Sequence, residues 1–86
     1  MRPDVTQTVI AAVKQIAVRQ TPPPEITLDQ SLVRDLALDS LDIAELVATL
    51  EAELACDPFA ADAAIADART VGDLVAIYQR HLEGRR

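Results

Sequence analysis

Eighty-six residues with a net charge of −6 make one compact domain at most and leave little room for a deep catalytic cleft. Half are hydrophobic, yet the aromatics are limited to Phe59 and Tyr78, so the core has to be built from Leu, Ile, Val and Ala on packed helices. The lone Cys56 excludes an internal disulfide, and neither a signal-peptide pattern nor an apolar run of about 18 residues is present, so a soluble, reducing, cytoplasmic setting is expected.

The first helix is predicted from a cap at Asp4 to about Ala17, because Val5, Val9, Ala12, Val13 and Ile16 recur at the spacing of one buried face. Thr21-Pro22-Pro23-Pro24 stops it, since consecutive prolines lack backbone donors and push the preceding residue away from helical angles. A long loop follows, in which Ile26, Leu28, Leu32, Leu36 and Leu38 alternate with polar residues. They are expected to pin it to the core, with a turn of helix near Ser31.

The second helix should start at Asp39 or Ser40, either of which can cap it, and run to about Leu54. Leu41, Ala44, Val47, Leu50 and Leu54 are expected to be buried, and Asp42, Glu45 and Thr49 to face outward. Asp57-Pro58 breaks the pattern, and Phe59 to Ala68 offers only Phe59 and Ile65 as large anchors, so any helix there is short. Thr70 caps the final helix with Asp73 completing a capping box, and Val71, Leu74, Val75, Ile77, Tyr78 and Leu82 form its apolar side. Gly84-Arg85-Arg86 reads as a frayed tail.

Charge is unevenly placed: Asp35 to Asp67 holds nine acids and no Lys or Arg, while the rest of the chain has eight basic residues against five acids. Such a block repels nucleic-acid phosphates and attracts basic protein surfaces, although acids that merely solubilise an Ala/Leu-rich domain explain it equally well.

Within that block, Asp39-Ser40-Leu41-Asp42-Ile43-Ala44-Glu45-Leu46 sets a serine at the mouth of a helix. There its hydroxyl points into solvent, and the free N–H groups and positive dipole end tolerate a phosphodiester on that oxygen. Asp42 and Glu45, three and six residues after Asp39, fall on one stripe where a partner's basic residues can dock. The bland readings are a helix cap for Ser40 and a solvated face for the acids. An exposed carboxylate pair has no reason for the shifted pKa that acid/base work needs. His81 near the end of the last helix has its ordinary explanation in the helix dipole, Cys56 reads as a small, partly buried residue beside a turn, and the Asp35 to Asp42 acids lack the ligand spacing of an EF-hand loop.

The chain resembles the acyl carrier protein family over nearly its whole length. The resemblance rests on Leu36-Ala37-Leu38-Asp39-Ser40-Leu41-Asp42, on Glu45-Leu46-Val47 and Leu50-Glu51-Ala52-Glu53-Leu54 after it, and on Thr70-Val71-Gly72-Asp73-Leu74. It implies an all-α fold, a small four-helix bundle with a long first loop and a short third helix, formed by residues 1–86 as one carrier domain ordered over about 4–82. It implies that Ser40 receives covalent 4'-phosphopantetheine from coenzyme A, and that the chain is a carrier rather than an enzyme. Asp39, Leu41, Asp42 and Glu45 become the partner-docking residues, and Val47 and Leu50 the helix-two residues beside a sheltered acyl chain.

The partners implied are a phosphopantetheinyl transferase, a ketosynthase, an acyltransferase and other acyl-processing enzymes met in trans by a monomer, with no nucleic acid, metal or membrane span. Position 37, often Gly in fatty-acid-type carriers, is Ala here; position 48, often Met, and position 52, often acidic, are also Ala, which softens the docking face. Asp57-Pro58-Phe59 is more similar to carriers of polyketide or other specialised pathways. A peptidyl or aminoacyl carrier and an unmodified acidic interaction module are the rival readings; the dense acids favour an acyl carrier.

Overall fold

Helix α1 (Val5–Ala17) begins where Asp4 accepts the Gln7 N–H on its carboxylate at 3.2 Å, and it buries Val9, Ala12, Val13, Ile16 and Ala17 in one stripe. The computed structural model describes residues 4–17, 25–61 and 65–84. The Thr21-Pro22-Pro23-Pro24 stop lies outside those residues, as do Arg85 and Arg86 of the tail. The other elements are α2 (Ser40–Leu54), a single turn α3 (Pro58–Ala61), a 3-10 turn at Ile65–Asp67, and α4 (Val71–Glu83). Among the described residues the protein is thus all-helical, with three long helices and no strand beyond an isolated bridge between Ser31 and Thr70.

Helix α1 packs against both α2 and α4, and α3 packs on α4. The core they enclose is almost wholly aliphatic: Val9, Val13, Leu46, Leu50, Val71 and Leu74 are inaccessible to solvent or nearly so, with Tyr78 the one large exception in chemistry. Helix α4 starts as its sequence predicts. Thr70 Oγ1 accepts the Asp73 N–H at 3.0 Å while Asp73 accepts the Thr70 N–H at 3.0 Å and the Arg69 N–H at 3.1 Å. Val71, Leu74, Val75 and Tyr78 are buried, and Ile77 and Leu82 are half-buried.

The long loop is pinned to the core, but not by all the residues expected to pin it. Leu32, Leu36 and Leu38 are buried and Ile26 is half-buried, whereas Leu28 stays 45% exposed. The turn near Ser31 is present: Ser31 Oγ accepts the Arg34 N–H at 3.0 Å, Asp35 returns a carboxylate to the Ser31 N–H at 2.6 Å, and the Asp35 and Leu36 amides donate to the Ser31 carbonyl. The loop then crosses the start of α4. Leu32 N–H donates to Arg69 O at 2.9 Å, while Val71 N–H and Gly72 N–H donate to Gln30 O at 3.1 Å and Leu28 O at 2.8 Å. Leu28 therefore holds the fold with its backbone, which frees its side chain from the core.

The buried face of α2 differs from the expected one. Leu46, Leu50 and Leu54 are buried and Ile43 and Val47 are half-buried, while Leu41 is 76% exposed and Ala44 is exposed. Two apolar stripes overlap on this helix and share Leu50 and Leu54. The cap at Asp39 turns the first one outward, and Leu38, just before the helix, takes the core place that Leu41 would have filled. Thr49 and Asp42 are half-buried rather than outward-facing, and the Thr49 hydroxyl donates to Glu45 O at 2.9 Å. Ile65 is likewise no anchor at 48% exposure; Phe59 is, meeting Tyr78 edge to face with ring centroids 6.0 Å apart.

Two backbone features can be tested by substitution. A Cβ on Gly72 would stand 3.0 Å from Leu28 O, the carbonyl that accepts the Gly72 amide. Gly72→Val is expected to push that carbonyl off and lower stability by about 1–3 kcal/mol. Amide exchange of Leu32 and Val71 should quicken more than that of Val9 and Val13, measured by hydrogen exchange on the folded protein.

Ala37 and Ala55 both sit in the left-handed region, at φ 56° and 53°, with Ala55 closing α2. A Cβ there costs about 1–2 kcal/mol per residue, a strain that glycine lacks. Ala37→Gly and Ala55→Gly should therefore each stabilise the domain by roughly 0.5–1 kcal/mol and raise the melting temperature by several degrees, read by thermal unfolding.

Candidate functional site

Two residues at the start of α2 could have capped it, and the choice between them decides what the serine is free to do. Asp39 is the cap. Its backbone is extended, its Oδ1 accepts the Asp42 N–H at 2.8 Å, and Asp42 Oδ2 accepts the Asp39 N–H at 3.1 Å, a reciprocal capping box built from two aspartates. Ser40 is then the first helical residue rather than the cap. Its side chain is exposed, and among the described residues its hydroxyl has no hydrogen-bond partner.

The amides of Ser40 and Leu41 precede the first amide satisfied within the helix, Ile43 N–H to Asp39 O at 3.0 Å. A phosphodiester on the Ser40 oxygen would meet those donors and the positive end of the helix dipole. The residues present thus fit a covalent phosphate-linked group on this exposed hydroxyl. The one histidine, His81, is not beside Ser40 but in the last turn of α4. A serine hydroxyl is a poor nucleophile by itself.

Around the serine, Asp39, Leu41 and Glu45 are exposed. Asp42 is not the freely exposed stripe residue expected of it: it is half-buried, and its carboxylate accepts the cap's N–H. Down the helix, Ala44, Ala48 and Ala52 continue the exposed face that begins at Leu41, giving a shallow surface flanked by Glu45 and Glu51. The spacing of apolar residues could not reveal this face, because Leu41 and Ala44 read as core. Of the two helix-two residues expected beside a cargo chain, Leu50 is fully buried and Val47 half-buried.

A second feature was not legible in the sequence. The Tyr78 side chain is fully buried, and among the described residues its hydroxyl has no hydrogen-bond partner. Burial pushes its phenol well above the ordinary tyrosine range, with Cys56, Asp57 and Glu51 nearby adding to the effect. Cys56 itself is buried, more deeply than its place beside a turn suggested.

Comparison with known proteins agrees with this geometry. Residues 7–77 match the family model described as the phosphopantetheine attachment site. The chain is 41% identical over 71 residues to an acyl carrier protein of Chlamydia trachomatis serovar L2, covering 80% of this chain and 90% of that one. It is 42% identical over 59 residues to an acyl carrier protein of Clostridium perfringens strain SM101, covering 69% and 75%, and 38% identical over 74 residues to one of Rhodococcus erythropolis strain PR4, covering 84% and 79%. No solved structure matches the chain significantly. A helical chain matched from α1 to α4 in this way belongs to the phosphopantetheine-attachment family of acyl carrier proteins, whose members are carriers rather than enzymes and bear 4'-phosphopantetheine covalently.

Proposed function

We propose that Ser40 is the residue to which a phosphopantetheinyl transferase transfers 4'-phosphopantetheine from coenzyme A, and that the loaded chain carries acyl intermediates between enzymes of fatty-acid or polyketide-type biosynthesis. The observation that carries this reading is the release of Ser40 from capping: Asp39 and Asp42 satisfy the helix start between them, and the serine hydroxyl is left exposed. When bound, the arm supplies a thiol that holds the cargo as a thioester, and tethering raises its concentration at each partner's active site. In this reading residues 1–86 act as one cytoplasmic, monomeric carrier domain, and the single turn α3 counts as the short third member of a four-helix bundle. Among the described residues no helix is long and apolar enough to cross a membrane.

Incubation with coenzyme A and a broad-specificity transferase should add the mass of the arm to the chain, read by intact mass. Ser40→Ala should gain nothing. Because Asp39 is the cap, that substitution should change stability by less than about 0.5 kcal/mol, below the usual loss of a capping residue. A wild-type chain that stays unmodified would favour the unmodified interaction module, and an aminoacyl cargo would favour the peptidyl carrier.

Docking is assigned to Leu41 and Glu45 on the exposed face, with Asp39 and Asp42 contributing charge from the helix mouth. A ketosynthase or an acyltransferase would meet this face with basic residues around an apolar contact for Leu41. Asp42→Lys would disturb the capping box as well as the charge, so Glu45→Lys is the cleaner test. Glu45→Lys should slow arm transfer several-fold and flatten its dependence on salt, with melting nearly unchanged. Equal rates and equal salt dependence for the two proteins would remove Glu45 from the docking surface.

A further inference from the structure

The carrier reading leaves one buried polar group without a task. Tyr78 is the chain's one tyrosine, it is fully buried, and among the described residues its hydroxyl has no partner. Leaving a buried donor unpaired costs free energy, and a phenylalanine would fill the same space without that cost. The ring is held edge to face by Phe59, so the hydroxyl cannot turn out to solvent without giving up that contact and the aliphatic packing around it.

Its surroundings place it in the molecule. Its ring meets Phe59 of α3, just past the last residue of α2, so it lies near the end of α2 remote from Ser40. Glu51 is about 16 Å down the helix from Ser40 at the helical rise of 1.5 Å per residue. Between the two ends, α2 turns Leu46, Leu50 and Leu54 inward. An acyl chain entering this core from a tether on Ser40 would run past aliphatic side chains and meet one hydrogen-bond donor.

We propose that the Tyr78 hydroxyl donates a hydrogen bond to an oxygen on the sheltered acyl chain, a ketone or hydroxyl beyond the thioester carbonyl, so that this carrier holds oxygenated chains more firmly than fully saturated ones. The inference rests on the attachment of the arm at Ser40 and on cargo entering the core. A saturated chain leaves the donor unpaired, as in the unloaded protein. An oxygenated chain of similar length satisfies it at the same cost in ordering. The alternative, a bridging water, requires further polar partners at the hydroxyl; Asp57 at the rim is one candidate.

The test uses the whole chain loaded on Ser40 with dodecanoyl, 3-oxododecanoyl or 7-oxododecanoyl arms, the two ketone positions bracketing the slack of the tether. Intact mass is checked first, because failure to load would overturn the assignment of Ser40 and not the role of Tyr78. One of the oxo forms should melt roughly 4–8 °C above the dodecanoyl form, the shift that one net hydrogen bond gives in a domain this small. A 13C label on that ketone should move downfield on loading.

In Tyr78→Phe both differences should vanish, while the unloaded variant melts at or above the original. Equal melting of all three loaded forms of the original chain would overturn the proposal without any variant. So would an oxo-specific gain that survives in Tyr78→Phe, or an unloaded Tyr78→Phe that melts several degrees lower, which would show the hydroxyl already satisfied by water or Asp57.

Discussion

The seam between the long loop and the start of α4 is the constraint on which the rest of this small domain depends. A helix begins with donors that have no partners inside it, and the long loop before α2 brings carbonyls that need donors. Here each solves the other's problem: Leu28 O and Gln30 O accept from Gly72 and Val71, and Arg69 O accepts from Leu32. Asp73 secures the same joint from the helix side by accepting two further amides. With the backbone fixed there, Leu32 and Leu36 are driven into the core, Ala37 bends the chain through a left-handed step, and Leu38 seals the end of the bundle. Asp39 arrives at the start of α2 as its cap, and the next residue projects into solvent.

That sequence of constraints explains which parts of the structure were legible beforehand. Helices α1 and α4 were, because each carries a single apolar stripe and a capping residue in front of it. The serine at the mouth of α2 was also legible, from its neighbours, though two residues stood equally able to cap. What spacing could not decide was the face of α2. Leu41, Ile43, Ala44, Leu46 and Val47 offer apolar residues in nearly every direction, and the choice among them is made by the residues before the helix, not by the helix itself. Leu28 and Ile65 misled for a related reason: each is apolar and well spaced, but Leu28 is held by its carbonyl, and the turn at Ile65 is too short to impose a face. The orphaned hydroxyl of Tyr78 had no sequence signal, since its spacing matched an ordinary core position.

Asp42 shows how closely the helix start ties stability to recognition. Its carboxylate lies in a block of nine acids that suits a basic partner, yet it also closes the cap. A second aspartate in place of the more usual Glu or Gln at this position closes the box at 3.1 Å and keeps the charge close to the serine. The arrangement concentrates negative charge at a helix N-terminus, where the dipole favours it, and so limits the self-repulsion that a large acidic block otherwise imposes. Glu45, farther along and exposed, lacks that compensation, which makes its charge a feature of the surface more than of the fold.

The two hydroxyls of interest therefore stand at opposite extremes of one helix's surroundings. Ser40 is exposed and unpartnered because an aspartate has taken over the capping that a serine would otherwise perform, and an unpartnered hydroxyl in water costs nothing. Tyr78 is buried and, among the described residues, unpartnered in a core that contains almost nothing else able to hydrogen-bond, and there the same condition is costly. An exposed free hydroxyl is a handle that another protein can use without disturbing the domain. A buried one is a deficit that a molecule entering the core can remove, and an arm attached at Ser40, as proposed, would be a direct way to bring such a molecule to Tyr78.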